Sequence, residues 1–403
     1  MRDARFQGEG VVRPKSQGVP ARAGIGDMSD DPFRVLSLDG GGMRGTYTAT
    51  YLAKVSETYA KRRGATALDL GVAFNLIVGT STGAIIACAL AAGVPLGEVV
   101  SLYRQHGAAI FPRPVPESLP AAVLDHVARA KAIAAGADAL RAALTDKLGS
   151  ATLADIYARR GIALAIPAVE MGQHRAWVFK TPHFGTTNNR DDNYTLVDVC
   201  MASTAAPVFR SLAAIDHSDE AGTGFRVFVD GGLWANNPVL VGLIEALDVT
   251  QPGQHIQIFC MGSCPMPAGE QIARSAVHRG LSEWKFGSKA AELSIDAQQF
   301  AYDHMAKKLA RHVDRHCTVI RFPADKVPAT VLPYLGLDDT RPEAIEALVN
   351  QARTDADMTN SKCAYRDSDP EAELICSLFE TAPERRNPLV SRQERRVTAA
   401  PAR

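Results

Sequence analysis

Three glycine-rich motifs occur in one order along this chain, and each follows a short apolar run. Residues 39–45 read Asp-Gly-Gly-Gly-Met-Arg-Gly, residues 79–83 read Gly-Thr-Ser-Thr-Gly, and residues 230–232 read Asp-Gly-Gly. Glycines directly after a strand let the backbone turn sharply and approach a ligand closely. Each motif alone is common. Their order predicts a sheet whose strands end in loops that meet at one reacting centre.

The apolar pattern around these motifs alternates short runs with longer segments of helical spacing. Strands are predicted at residues 33–38, 74–78, 162–169, 176–180, 225–229, 256–261 and 318–322. Helices are predicted at residues 46–61, 83–92, 196–205, 239–247 and 341–353, with a further helical stretch at 281–315. Alternation of this kind is typical of an α/β fold, in which helices cover a central, mostly parallel sheet.

The composition argues against several classes of protein. The 44 basic and 44 acidic residues among 403 leave a formal net charge of zero, so no global field favours DNA or RNA as a partner. The seven cysteines form no Cys-x-x-Cys pair, which argues against a disulfide framework and a zinc site and favours a cytoplasmic location. No apolar run reaches the roughly 18 residues that a transmembrane helix needs.

Three regions are expected along the chain. Residues 1–27 lack hydrophobic periodicity and are predicted to be a disordered N-terminal tail, with Met28 as an alternative start. Residues 28–380 are predicted to form one domain with a helical extension from about residue 266. Residues 381–403 are rich in arginine and are predicted to be a disordered basic tail.

Ser81 is the candidate nucleophile. It lies at the centre of the second motif, between a predicted strand and a predicted helix, which is the context that a nucleophile elbow requires. A sharp turn there exposes the serine hydroxyl, and the flanking glycines remove side chains that would clash. The N-terminus of the following helix adds a positive field.

The first motif supplies candidate oxyanion donors. The consecutive residues Gly40, Gly41 and Gly42 allow backbone N–H groups to converge on one point, which is how an oxyanion is held. Arg44 begins the next predicted helix and is expected to support this loop or to meet a phosphate.

The same glycines also match a dinucleotide-binding fingerprint, Gly-x-Gly-x-x-Gly. That interpretation requires a second strand that ends in an acidic residue about 20 residues further on. Residues 59–64 stand there instead, and they are basic and lack a strand pattern. The fingerprint interpretation is therefore disfavoured.

Asp230 is the candidate general base, because Ser81 needs a group that accepts its proton. A carboxylate is a weaker base than imidazole, but it is ionised at neutral pH and burial tunes its pKa. The alternative is an α/β-hydrolase with a Ser-Asp-His triad, whose histidine comes late in the chain. Histidines do occur there, at positions 255, 278, 304, 312 and 316, but none lies in a recognisable loop after a strand.

The three motifs in this order resemble those of the patatin-like phospholipases. Residues 201–207 (Met-Ala-Ser-Thr-Ala-Ala-Pro) and 234–238 (Trp-Ala-Asn-Asn-Pro) fit the same family, and the resemblance covers roughly residues 33–265. It implies a three-layer α/β/α fold and a Ser-Asp dyad that needs no metal and no calcium. Carried over by position, Ser81 is the nucleophile and Asp230 the base, and the amides of the three glycines form the oxyanion hole.

Within that family, the sequence from Asp230 to residue 238 and the long extension resemble the phospholipase effectors of bacterial antiphage signalling by cyclic oligonucleotides (CBASS). This resemblance implies activation by a cyclic dinucleotide such as cGAMP, a membrane phospholipid substrate, action at the inner face of the membrane and a homo-oligomer on activation. The alternatives are a constitutive lipid acyl hydrolase and a catalytically idle scaffold with the same fold.

The sequence does not decide the role of two features. The alanine-rich segment 118–149 is either a mobile cap over the site or a set of packing helices. Ile110, Phe111, Leu119 and Val123 form either an interfacial patch for lipid or part of the core.

Overall fold

A computed structural model of the chain describes residues 31–113, 119–184, 189–216, 224–264, 271–280, 283–284, 287–323, 327–366 and 369–385. From Pro32 onward these residues belong to one compact unit. The predicted N-terminal tail, Met28 and residues 386–403 lie outside the described part of the chain.

Eight strands in the described residues form one sheet. They are β1 (Phe33–Leu38), β2 (Leu76–Gly79), β3 (Ala163–Glu170), β4 (Arg175–Lys180), β5 (Ala213–Asp216), β6 (Phe225–Asp230), β7 (Ile256–Met261) and β8 (Cys317–Arg321). The strand order is β5-β6-β3-β2-β1-β7-β8, and β4 also pairs with β3. The neighbours from β3 to β8 run parallel, whereas the pairs β3–β4, β3–β6 and β5–β6 run antiparallel. All seven predicted strands are present. The eighth strand, β5, is not predicted because its four residues are too few to give a periodic signal.

The helices of the described residues alternate with these strands. They are α1 (Gly45–Arg62), α2 (Thr82–Ala92), α3 (Leu96–Ile110), α4 (Leu119–Leu148), α5 (Leu153–Arg160), α6 (Leu196–Ser203), α7 (Gly232–Ala235), α8 (Val239–Val249), α9 (Ser288–Leu309), α10 (Pro342–Ala364) and α11 (Pro370–Thr381). The helix predicted at 341–353 is α10, which continues to Ala364. Polar residues interrupt its apolar pattern, and one of them, Asp355, is buried.

Alternate residues of the central strands enter two separate cores, because successive side chains of a strand point to opposite faces. Val35 and Val78 pack in a cluster with residues of α8 and α9. Leu36 and Ile77 pack in a larger cluster with residues of α1, α2, α6 and α10. Helices therefore cover both faces of the sheet, which confirms the three-layer α/β/α architecture.

The carboxyl ends of β2 and β6 meet along one edge of β3. Ala165 pairs with β2 through Val78 and with β4 through Lys180, so β2 and β4 occupy opposite edges of β3. Ala168 pairs with both β4 and β6, so β6 shares the edge that β2 uses. Since β2 is parallel to β3 and β6 is antiparallel, the two strands run toward each other. Their final residues therefore converge.

The C-terminal extension is built into the domain rather than appended to it. Its strand β8 pairs with β7 and widens the sheet. Its helix α10 packs on α1, where the hydroxyl of Tyr47 donates to Oδ2 of Asp355 at 2.5 Å and Tyr51 is hydrogen-bonded to Thr359 at 2.7 Å. The extension is thus mixed α/β, not purely helical.

The predicted C-terminal tail begins too early at residue 381. The amide of Asp69 donates to the carbonyl of Pro383 at 2.8 Å, and the amide of Arg385 donates to the carbonyl of Ala67 at 2.9 Å. Residues 382–385 are therefore held against the loop before β2, so the predicted start of the tail at residue 381 is wrong.

The alanine-rich segment is confirmed as the long helix α4. Its C-terminal half is core, because Leu140, Leu144 and Leu148 are all buried. This half packs as a structural helix, which favours the packing interpretation over a cap. No helix in the described part of the chain is long and apolar enough to cross a membrane.

Candidate active site

Ser81 stands on the turn between the end of β2 and the start of α2, as predicted. Its φ of 55° lies in the left-handed region, which strains a residue that carries a Cβ. The backbone N–H of Ser81 donates to Oγ of Ser203 at 2.9 Å, and that hydroxyl donates to the carbonyl of Pro167 at 2.7 Å. A Cβ on Gly83 would collide with the carbonyl oxygen of Leu38, so the glycine lets α2 approach β1.

The structure brings Ser81 and Asp230 together. The serine Oγ donates to Oδ2 of Asp230 at 2.7 Å. The other carboxylate oxygen accepts the backbone N–H of Gly232 at 2.7 Å, and the Asp230 N–H donates to the carbonyl of Ala205 at 3.1 Å. Hydrogen bonds therefore hold both carboxylate oxygens of Asp230, and Oδ2 is positioned to take the proton of the serine hydroxyl.

Burial controls the charge of this carboxyl. Asp230 is 5% exposed. Desolvation raises its pKa to about 6, although the hydrogen bonds from Ser81 and Gly232 and the charge of Arg210 oppose that rise. Asp230 is thus ionised at neutral pH and is a stronger base than an exposed aspartate.

The glycine-rich loop after β1 requires one correction. The Gly40 amide donates to the carbonyl of Asn236 at 2.9 Å, so it is already occupied and is not an oxyanion donor in this structure. Gly41 and Gly42 do line the cavity beside Ser81, and their amides have no acceptor among the residues that the structure describes. Gly41 and Gly42 therefore remain the candidate oxyanion donors.

Arg44 is buried at the end of this loop, and its Nε donates to the carbonyl of Gly41 at 3.4 Å. That contact fits the expected role in supporting the loop.

A cavity of about 890 Å³, counting its open mouth, lies over the serine and the aspartate. Its walls are largely apolar and include Ile85, Ile110, Phe111, Leu140, Phe209 and Leu233. This apolar lining beside Ser81 suits a hydrocarbon chain whose ester reaches the serine.

Comparison with known proteins identifies the family. The family model described as "Patatin-like phospholipase" matches residues 36–243. This chain belongs to the patatin-like phospholipases. Their activity is lipid acyl hydrolysis, and the matched residues contain both Ser81 and Asp230.

Three bacterial relatives share one name. This patatin-like phospholipase is 35% identical over 277 residues to a protein of Pseudomonas aeruginosa named "cGAMP-activated phospholipase". The match covers 68% of this chain and 75% of that protein. Proteins with the same name from Escherichia coli and Vibrio cholerae are 34% and 32% identical, and each match covers 53% of this chain. The chain spans only 55% and 57% of those two relatives.

Helix α9 of the extension holds the loop that follows Asp230, a contact that the sequence does not predict. Oε1 of Gln298 accepts the N–H of Asn236 at 2.9 Å, and its amide group donates to the carbonyl of Gly232 at 3.1 Å. The hydroxyl of Tyr302 donates to the carbonyl of Trp234 at 2.6 Å. A glutamine in a helical stretch is usually a solvated residue, so only the fold reveals this role.

An ion-pair network lies behind the glycine-rich loop of this patatin-like phospholipase. Arg321 on β8 donates to Asp39 at 2.8 Å and also pairs with Asp303 on α9. Asp303 in turn accepts the side-chain amide of Asn237 at 2.9 Å. Asp39 is 2% exposed, and burial raises its pKa to about 6 against the opposing charge of Arg321. The extension thus anchors both the glycine-rich loop after β1 and the loop after Asp230.

The Ser-Asp-His alternative finds no support in the described residues, where no histidine is hydrogen-bonded to Ser81 or Asp230. His255 and His316 stack with ring centroids 3.8 Å apart. They precede β7 and β8, and therefore lie at the edge of the sheet opposite to Ser81. Among the described residues, no group of three or more histidine, cysteine, aspartate or glutamate side chains could hold a metal ion. All seven cysteines are free thiols.

Replacing Gly42 with alanine is expected to lower kcat by about 100-fold or more, because one misplaced oxyanion donor costs that much. Gly42 has a φ of +56°, and a Cβ there would collide with the carbonyl oxygen of Leu337. The loop must therefore shift and carry its amide away from the reacting oxygen. The measurement is steady-state hydrolysis of a soluble ester.

Gly64→Ala is the matched control for this prediction. Gly64 has a φ of +69°, but nothing lies within 4 Å of a Cβ built on it. The control carries the same kind of backbone strain without the collision, so it should keep full activity. A Gly42→Ala rate within a few-fold of the unmodified protein would remove this loop from the oxyanion hole.

Proposed function

We propose that this chain hydrolyses acyl esters of membrane phospholipids through Ser81 and Asp230. The observation that carries the proposal is the 2.7 Å hydrogen bond from the serine hydroxyl to the buried carboxylate, at the base of an apolar cavity. Membership of the patatin-like phospholipase family supports the same reaction class.

In the acylation step, Asp230 accepts the proton of Ser81 as the serine oxygen attacks the ester carbonyl. The carbonyl oxygen becomes an oxyanion, which the amides of Gly41 and Gly42 stabilise. The tetrahedral intermediate then collapses and its bond to the glycerol oxygen breaks. Asp230 returns the proton to that oxygen, so lysophospholipid leaves and the acyl group remains on the serine.

Deacylation repeats these steps with water in place of the serine hydroxyl. Asp230 takes a proton from the water, which attacks the acyl-serine carbonyl, and then returns the proton to Oγ of Ser81. Fatty acid leaves and the dyad is restored. One carboxyl thus acts alternately as base and acid, which its raised pKa favours.

The route by which lipid enters is proposed from exposed residues at the mouth of the cavity. Leu233 lines the cavity and is also 49% exposed. Ile110 and Phe111, considered above for an interfacial patch, line the cavity wall instead. The side chains of Leu119 and Val123 lie outside the described part of the structure. An apolar mouth of this kind suits action at the surface of a membrane, here the inner face of the cytoplasmic membrane.

The pH dependence of the reaction tests the base. Because the pKa of Asp230 is raised to about 6, kcat/KM for a soluble ester should fall about tenfold per pH unit below that value and level off above it. The measurement is the pH profile of hydrolysis, with Ser81→Ala as the blank. A profile without an inflection in mild acid would contradict the assignment of Asp230.

Activation by a cyclic dinucleotide such as cGAMP is the second part of the proposal. Three relatives carry the name "cGAMP-activated phospholipase". The contacts of α9 with the loop after Asp230 give a route by which a ligand on the extension could change the site. Such a ligand must bind the active arrangement better than the inactive one. A role in antiphage defence, with a homo-oligomer on activation, follows from the same resemblance.

Phospholipid hydrolysis by the purified chain, with and without a panel of cyclic di- and trinucleotides, tests this part. The proposal expects activity that depends on one nucleotide, together with a change in sedimentation in its presence. Equal activity without any nucleotide would identify a constitutive lipid acyl hydrolase. Ser81→Ala is the blank in both arms.

A further inference from the structure

Arg210 is a charged residue inside the cavity that the reaction above does not use. It follows α6, where its backbone N–H donates to the carbonyl of Ala206 at 2.9 Å and holds a tight turn. Its side chain is turned inward, with 6% of the residue exposed. Arg210 lines the same cavity as Ser81 and Asp230.

The guanidinium of Arg210 has no directly paired counter-ion in the described residues. None of their carboxylates forms an ion pair with it, and no acceptor is hydrogen-bonded to its side chain. The charge of Asp230 acts on the guanidinium at longer range, but the oxygens of that carboxylate already accept hydrogen bonds from Ser81 and Gly232. The guanidinium lies over the ring of Phe111, with Cζ 5.7 Å from the ring centroid. Arg321 shows the usual arrangement for a buried arginine, since it pairs with Asp39 and Asp303.

Burying an unpaired guanidinium is costly, and a structure that keeps one inside a cavity generally provides it with an anion. Desolvation lowers the pKa of Arg210 to about 10, so the side chain is still charged at neutral pH. The remaining walls are largely apolar and suit an acyl chain. A ligand that fits both parts is therefore an amphiphile with an acyl chain and an anionic group.

We propose that Arg210 binds the phosphodiester group of a glycerophospholipid whose ester lies at Ser81, and that it thereby selects phospholipids over neutral acylglycerols. This inference rests on the proposed function. The planar guanidinium offers paired N–H donors that match two phosphate oxygens. In a glycerophospholipid only a few bonds separate the ester from the phosphate, so one cavity can hold both groups.

The test compares two lipids that differ only in the phosphoglycerol headgroup, which carries the phosphodiester. Phosphatidylglycerol and diacylglycerol with identical acyl chains are presented in the same detergent micelles, with any activating nucleotide present. The assay is run at about pH 8, well above the pKa of Asp230, so that losing the charge of Arg210 changes the ionisation of the base little. For Arg210→Gln, kcat/KM for the phospholipid should fall about 10- to 100-fold, whereas the rate with diacylglycerol should stay within about threefold. Arg210→Lys keeps the charge and should recover part of the loss.

Arg104→Gln is the control, because Arg104 is a surface residue paired with Glu346 and should affect neither lipid. An equal loss with both lipids would overturn the inference, since Arg210 would then act through Asp230 or through the fold. Unchanged rates with both lipids would also overturn it.

A binding experiment separates this inference from the proposed function. In the Ser81→Ala background, short-chain phosphatidylglycerol and the matching diacylglycerol are titrated into the protein without turnover, and inorganic phosphate is titrated separately. The inference expects Arg210→Gln to weaken phospholipid binding at least tenfold and to leave diacylglycerol binding unchanged. Binding of inorganic phosphate without discrimination between the two lipids would contradict it, whether or not the chain hydrolyses lipid.

Discussion

Ser81→Ala and Asp230→Asn are each expected to lower phospholipid hydrolysis by about four orders of magnitude, because nucleophile and base act as one unit. Alanine removes the attacking oxygen. Asparagine has the same shape as aspartate, but its amide does not accept the serine proton. The two effects are expected to be similar because the side chains are joined by a hydrogen bond of 2.7 Å. The measurement is initial rate against a dispersed phospholipid.

The fold should survive both changes. The folded-state pKa of Asp230 is raised to about 6 from an ordinary 3.8, so its ionisation costs stability at neutral pH. Asp230→Asn should therefore unfold at no lower temperature than the unmodified chain. Ser101→Ala and Asp146→Asn, both at exposed positions, are the matched controls and should keep full activity. An Asp230→Asn variant that kept most of its rate would show that the base is another group.

Arg321→Met is expected to lower the free energy of unfolding by about 3–5 kcal/mol, the usual cost of removing one partner from a buried ion pair. The change leaves the carboxylates of Asp39 and Asp303 without their shared cation, and Asp39 is almost fully buried. The pKa of Asp39, already raised by burial, loses the charge that opposes the rise. Denaturant titration at neutral pH measures the loss.

Arg341→Met is the control for this prediction. Its pair with Asp339 is also at hydrogen-bonding distance, 2.6 Å, but the arginine side chain is 59% exposed. An exposed pair contributes at most about 1 kcal/mol. If both variants were equally stable, the network behind the glycine-rich loop would have no structural role.

The nucleophile and the base could be found from sequence because each lies where a strand ends. Apolar runs that end in Gly-Thr-Ser or Asp-Gly-Gly mark the points at which the chain leaves the sheet. In a mostly parallel sheet, both residues would be expected at the edge formed by the carboxyl ends of the strands. In the structure β6 is antiparallel to β3, and Asp230 reaches Ser81 because β2 and β6 meet head-on. Strand direction depends on long-range pairing, which periodicity does not reveal.

Other parts of the site depend on contacts between distant segments. Gly40 is excluded from the oxyanion hole by the carbonyl of Asn236, nearly 200 residues later in the chain. Gln298 and Arg321 support the site only because α9 and β8 fold back onto it. Arg210 carries no motif of its own. Its proposed role rests on burial without an ion pair or a side-chain hydrogen bond in the described residues, and burial of a single polar residue is a tertiary property.

Covalent labelling by a fluorophosphonate, followed by mass spectrometry of the peptides, tests most directly whether Ser81 is a nucleophile activated by Asp230. With the cyclic nucleotide panel present, a single adduct should form on Ser81, and Asp230→Asn should slow labelling at least 100-fold. Ser81→Ala should give no adduct. An adduct on a different residue, or an unmodified chain that is never labelled, would contradict the dyad and favour a scaffold without catalysis.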